Sequence, residues 1–197
     1  MKSQPKKKIN LAIETGIYGG SVSVFTNNEQ TGFWIGENKV SRSEDVLQAI
    51  STIFEENNLL KNEISQIIVS DNPGSFTGLR IGLSIALGLK NAFNANLLKV
   101  SALDAIEVLL PQNPQNNDIV IAVPVGQNIL WKITENNSDI NFTGKLPDFI
   151  EFIESNRKKT LILHRRIYDQ ISCKSNIIDA GENIAYLIGK YYNKICV

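Results

Sequence analysis

Between Ser75 and about Asn94 the chain carries a helical pattern that is apolar on nearly every side. Gly78, Gly82 and Ala86 recur at every fourth position, Leu79, Leu83 and Leu87 line the neighbouring stripe, and Ile81, Ile85 and Ala92 lie round the other side. A helix that is apolar all round is buried all round. Glycine in a helix interior costs ~1 kcal/mol relative to alanine, so the bare stripe should be offset by the close approach of a second backbone. The helix therefore requires a layered α/β frame, with a sheet against one side and a further helix against another.

The residues that open it, Asn72 to Gly82 ("NPGSFTGLRIG"), form a glycine-rich turn entering a helix, a place where anions bind. The spacing is neither G-x-x-x-x-G-K-[ST] nor G-x-G-x-x-G. The simpler reading is a Pro-Gly turn with Ser75 or Thr77 as the helix cap; the alternative is a bare helix N-terminus holding an anion near Arg80.

Hydrophobic period orders the rest. Residues 8–15, 20–26 and 30–36 read as three antiparallel strands, 43–58 as an amphipathic helix, 66–71 as a strand, 96–101 as another and 102–110 as a helix. The first half is thus β-β-β-α-β-α-β-α. The polar, proline-marked run 111–118 is the expected boundary. Beyond it come a hairpin (119–125 and 129–135), a helix over 147–156, a strand over 160–164, a helix over 165–171, a strand over 176–179 and a last helix over 181–193. That order, β-β-α-β-α-β-α, is a trimmed echo of the first. The expected division is a flexible basic tail at 1–8, a first lobe at 9–110, a linker at 111–118 and a reduced second lobe at 119–197. Two mixed-sheet α/β lobes around a cleft form the architecture of the actin-like ATPases and sugar kinases (the ASKHA, RNase H-like fold), an analogy that carries no chemistry by itself.

The helix over 43–58 presents Val46, Leu47, Ile50, Ile53 and Phe54 on one face, with Glu44 and Asp45 in the first turn, where they suit the helix dipole. It could cover the glycine stripe within the chain, but its apolar face is wide enough to need both a sheet and a partner. Two such helices side by side make half of a four-helix bundle. The expectation is a protein interface built from Val46, Leu47, Ile50, Ile53, Phe54, Gly78, Leu79, Gly82, Leu83, Ala86, Leu87 and Lys90, with Lys132 and Arg165 as surface residues of the other half.

Catalysis finds few candidates. An actin-like ATPase needs two phosphate-holding hairpins, each with an acid to manage Mg2+. Residues 14–21 ("ETGIYGGS") could serve as a degenerate first one, with Glu14 as the acid, but "VPVGQNIL" (123–130) has no carboxylate and "DAGENIAYLIG" (179–189) lacks an adenosine turn. A metallopeptidase needs clustered ligands, and the one histidine is His164. Cys173 and Cys196 have no base in sequence reach, and their spacing fits reduced thiols. Asp71 and Asp104 read as helix caps. No catalytic residue, cofactor or metal is expected. With 20 basic and 20 acidic residues among 197, net charge is zero and advertises neither nucleic acid nor a solvating tail. "MKSQPKKK" could make a brief contact with RNA. No run approaches the ~20 apolar residues of a membrane span, so the expected location is the cytoplasm.

In this order, "LAIETG…GGSVSVF", "RSEDVLQAI", "NPGSFTGLRIGLSIALGLKNAF" and "LLKVSALDAI" resemble the bacterial TsaB (YeaZ) family. The resemblance covers residues 9–110 well and fades after 118. It implies a two-lobed actin-like fold and a non-catalytic partner in making threonylcarbamoyl-adenosine on tRNA. It further implies pairing through first-lobe helices with a larger, metal-containing transferase (TsaD-like), a small pathway ATPase (TsaE-like) joining the pair, contact with tRNA only through the complex, and homodimers through similar surfaces. Such proteins have also been labelled glycoprotease-like. Three positions depart from the family pattern: Glu14 where Asp ends the first strand, Arg42-Ser43-Glu44 where His-Ser-Glu opens the first helix, and Pro124-Val125-Gly126 in place of Asp-Ala-Arg. The competing readings are a homodimeric structural module unrelated to tRNA, and a degenerate ATPase or peptidase.

Overall fold

The structure is a computed structural model, which describes residues 8–110, 118–135, 138–156, 159–171 and 177–196. Nearly all of the expected tail and of the expected linker, and Cys173, lie outside the described residues.

The first half runs β1 (Ile9–Glu14), β2 (Ser21–Thr26), β3 (Glu29–Ile35), α1 (Ser43–Glu56), β4 (Ile64–Asn72), α2 (Phe76–Phe93), β5 (Asn96–Ser101) and α3 (Ala102–Ile106), which a 3-10 turn extends to Leu109. The second runs β6 (Ile119–Val125), β7 (Asn128–Glu135), β8 (Ser138–Gly144), α4 (Leu146–Ser155), β9 (Thr160–Leu163), α5 (Arg165–Tyr168), β10 (Ile177–Asp179) and α6 (Ile184–Cys196). The sheets are ordered β3-β2-β1-β4-β5 and β8-β7-β6-β9-β10, so each lobe repeats the other's topology. In each, two antiparallel hairpin connections are followed by two parallel crossovers.

The sequence reading missed β8, so the second half is a complete echo in element order. Among the described residues α5 has 4 residues and β10 has 3, against 18 in α2 and 6 in β5. β8 is an edge strand with six of its seven residues exposed, and its short alternation puts Phe142 against Trp131.

Strand alternation sorts the core into layers. On β1, Ile9, Leu11 and Ile13 pack with Val46, Ile50, Ile53 and Phe54 of α1 and with Ile85 and Ala86 of α2. Ala12 faces the other way, into a core shared with Ala102, Leu103 and Ile106 of α3 and Ile184, Ala185 and Ile188 of α6. That middle core also takes Ile119, Ile121 and Val123 of β6, while Val120 and Ala122 face Phe149 and Ile153 of α4. The result is five layers, helices–sheet–helices–sheet–helices, with α3 and α6 between the sheets.

The caps differ from expectation in detail. The Ser75 side chain caps α2 by accepting from the Gly78 N–H, and Ser101 caps α3 by accepting from the Asp104 N–H. Asp71 and Asp104, read as caps, are not: Asp71 accepts a bond from the neighbouring Asn72 side chain, and Asp104 pairs with Lys132.

Candidate functional site

The glycine-rich turn holds the chain's own first strand. Ser75 N–H donates to the Gly16 carbonyl (2.7 Å), and the Thr15 hydroxyl donates to the Gly78 carbonyl (2.8 Å). Where the two turns cross, Gly16 and Gly74 leave no room for a Cβ on either. A Cβ on Gly78 would overlap the Thr15 carbonyl oxygen, and one on Gly82 would overlap Thr15 Oγ1. The close approach that the stripe was expected to offer a partner is therefore made to Thr15, at the end of β1. Gly78, Gly82 and Ala86 are buried there, and Val46, Ile50, Ile53 and Phe54 are consumed by the first-lobe core. As partner contacts these seven are corrected: one face of each helix cannot serve both the sheet and another chain.

What remains outward is narrower. Leu47 on α1 and Leu87 on α2 are exposed at 45% and 42%. Leu83 is half-buried, Lys90 is exposed, and Leu79 is half-buried against the Gly16–Gly74 crossing. Phe76 at the start of α2, absent from the sequence-based set, is 68% exposed and carries the Arg80 guanidinium 3.7 Å from its ring centroid. The signal for Phe76 was its place in the first turn, opposite the Gly78–Gly82 stripe.

Glu14 ends β1 and turns back into its own loop. One carboxylate oxygen accepts from the N–H groups of Gly16 (2.6 Å) and Ile17 (2.8 Å). Burial pushes its carboxyl up from 4.5 to about 7, against the backbone N–H groups that favour the charged form. Converging N–H groups after a strand form an anion cradle, and here the chain's own carboxylate fills it. Glu14 is buried, at 1% exposure.

Opposite, the turn joining β6 to β7 passes through Gly126, at φ +63°, and brings Gln127 and Asn128 but no acid. Between the lobes lies a cavity of about 450 Å³ lined by Tyr18 from the first and by Gln127, Asn128, Arg166, Asp169 and Glu182 from the second. Arg166 lies over the Tyr18 ring (3.8 Å to its centroid), and its Nε pairs with Glu182 at 3.3 Å. His164 is buried, and its Nδ1 accepts from the Arg166 N–H at 3.3 Å. Burial, with the Arg166 charge, lowers it to about 3, so the imidazole is neutral. Among the described residues no three His, Cys, Asp or Glu side chains gather to hold a metal.

Lys132, expected at the surface, is 4% exposed; Arg165 is exposed as expected and pairs with Asp179. A polar side chain was expected to face solvent, but this sheet is covered on both faces. No helix of the described residues is long and apolar enough to cross a membrane.

A family model described as TsaD, tRNA N6-adenosine threonylcarbamoyltransferase, matches residues 37–127. The TsaB protein of Bacillus subtilis is 26% identical over 96 residues, covering 49% of this chain and 42% of the relative. TsaB of Buchnera aphidicola subsp. Baizongia pistaciae is 31% identical over 112 residues, covering 57% and 49%. TsaB of Buchnera aphidicola subsp. Schizaphis graminum is 26% identical over 157 residues, covering 77% and 73%. The first two matches span about half the length of those relatives. Among solved structures, YeaZ from Pseudomonas aeruginosa superposes with a TM-score of 0.61 at 12% identity, over 95% of this chain and 92% of that one. An Alp12 filament structure gives 0.50 at 11% identity, over 96% and 98%. These likenesses show the two-lobed actin-like fold. In sequence the chain is similar to TsaB proteins, and its fold is that of the YeaZ structure.

Proposed function

We propose that this chain is a non-catalytic partner in the synthesis of threonylcarbamoyladenosine on tRNA, pairing through the outer surface of α1 and α2 with a TsaD-like transferase. The observation that carries the reading is the pair of outer helices that spend one face on their own sheet and still expose Leu47, Leu87 and Phe76. Large apolar side chains left on neighbouring helices are what a helix-bundle interface would cover. Leu83, Arg80 and Lys90 supply its margin, and homodimers would use the same surface. The pathway ATPase, TsaE-like, joins the assembled pair, and tRNA meets the complex rather than this chain alone.

The absence of catalysis is supported by chemistry at both turns facing the cleft. Glu14 supplies the anion for the first turn from within, and the second lacks a carboxylate to manage Mg2+. The reading places the protein in the cytoplasm and divides it at 111–118.

Reconstitution tests it. The transferase, the ATPase, ATP, a threonylcarbamoyl donor and tRNA should give modified tRNA only when this chain is added, and this chain alone should give none. Full modification without it would overturn the partner role, and modification by this chain alone would overturn the non-catalytic one.

A further inference from the structure

Lys132 sits in the middle of β7 with its side chain on the inner face of the second sheet, 4% exposed. Its ammonium lies 2.5 Å from Glu107 and 3.1 Å from Asp104, both in the α3 segment that closes the first half of the chain, and 3.4 Å from Asp139 on β8 of its own sheet. Burial pulls the Lys132 ammonium down, but bonds and charges from Glu107 and Asp104 outweigh it, and its pKa rises. A buried ammonium is held where its counter-charges are, because leaving them strands a desolvated charge.

Two further ties run between the halves. Arg166 lies over Tyr18 at the cleft. Helix α6 is seated in the first lobe: Ala185 N–H donates to Ser21 Oγ at 2.9 Å, and Gly189 lies so close beneath the Phe25 ring that a Cβ there would overlap it. Folds that close a cleft around a ligand do so by hinge or shear motion, which needs interlobe contacts able to slide. Directional bonds to one buried cation do not slide.

We infer that Lys132 is an interlobe lock: it fastens the second sheet to the α3 segment through Asp104 and Glu107 and fixes the cleft at one opening. The chain is then one rigid body, and the outer surface of α1 and α2 is presented in the same way whatever occupies the cleft. Asp139, on the same sheet as Lys132, neutralises the cation but fastens nothing across the lobes.

This asymmetry gives the test. Spin labels are placed at Gln48 on α1 and Glu151 on α4, both exposed, in the full chain with Cys173 and Cys196 changed to serine, and the label-to-label distance distribution is recorded by pulsed EPR. The parent and Asp139→Asn should share one narrow distribution. The double variant Asp104→Asn/Glu107→Gln should broaden it about two-fold or shift its centre. A double variant that matches the parent in both width and centre overturns the lock, as does an Asp139→Asn variant that changes as much as the double. Native circular dichroism is the control for folding. Should the double variant lose it, Glu107→Gln alone carries the same two outcomes.

Discussion

Replacing Gly82 with alanine sets helix propensity against packing. In a free helix the change should add up to ~1 kcal/mol of stability. Here the new methyl overlaps Thr15 Oγ1, and that hydroxyl is committed to the Gly78 carbonyl at 2.8 Å in a buried position. Thr15 must either rotate, leaving its buried hydroxyl without an acceptor at a cost of ~1–3 kcal/mol, or push α2 off β1 at an overpacking cost of ~1–3 kcal/mol. The net expectation is a loss of about 1–2 kcal/mol, or roughly 2–8 °C in Tm for a chain of this size. Gly88, on the same helix, is the control: a Cβ there meets nothing within 4 Å, so Gly88→Ala should gain about 0.5–1 kcal/mol. Urea unfolding of the two variants reads both signs. A Gly82→Ala protein as stable as the parent would refute the assignment of the stripe to β1. If that variant also lost its partner, the stripe would face another chain after all.

Titration, nucleotide and surface each give a further test. The Glu14 carboxyl, raised from 4.5 to about 7, contributes up to ~3 kcal/mol that is present below pH 4.5 and lost as pH rises towards 7. His164, lowered from 6.5 to about 3, contributes stability that is present above pH 6.5 and lost as pH falls. The two slopes oppose each other between pH 4.5 and 6.5, so Glu14→Gln should expose a loss of stability on acidification across that window; urea midpoints that stay parallel to the parent's would contradict it. Mg-ATP at millimolar concentration should leave Tm unchanged, whereas a dissociation constant on the order of 10 μM would raise it measurably and contradict the filled cradle. Arg165→Ala, on the exposed second-lobe surface, should leave pairing with the transferase within about two-fold of the parent by sedimentation.

How much of this was legible in the sequence follows from where each signal is made. Period and β-branching located β1, β2, β4 and β6 because both faces of those strands are buried, and the order of elements then implied two lobes. The stripe of Gly78, Gly82 and Ala86 correctly signalled a close backbone approach, but nothing local says which backbone. That depends on a contact to Thr15 some 63 residues away in sequence. Lys132 misled for the same reason, since its partners Asp104 and Glu107 come 28 and 25 residues earlier. β8 carries only a short alternation, Ile140 and Phe142 between polar residues, and that was too brief to stand out from the polar run around it. Glu14 was found as an oddity at the end of a strand, and only the loop's conformation made it the anion in its own cradle.

The central claim is tested most directly by the affinity of this chain for its threonylcarbamoyl transferase, measured by sedimentation for the parent, Leu87→Glu and Ile140→Ser. Leu87 lies on the outer side of α2, and Ile140 is an equally exposed apolar residue on β8 of the other lobe, at 49%. The account predicts that Leu87→Glu stays folded and weakens pairing about ten-fold or more, while Ile140→Ser pairs like the parent. Normal pairing by Leu87→Glu together with loss in Ile140→Ser, or no pairing by the parent at all, would contradict it.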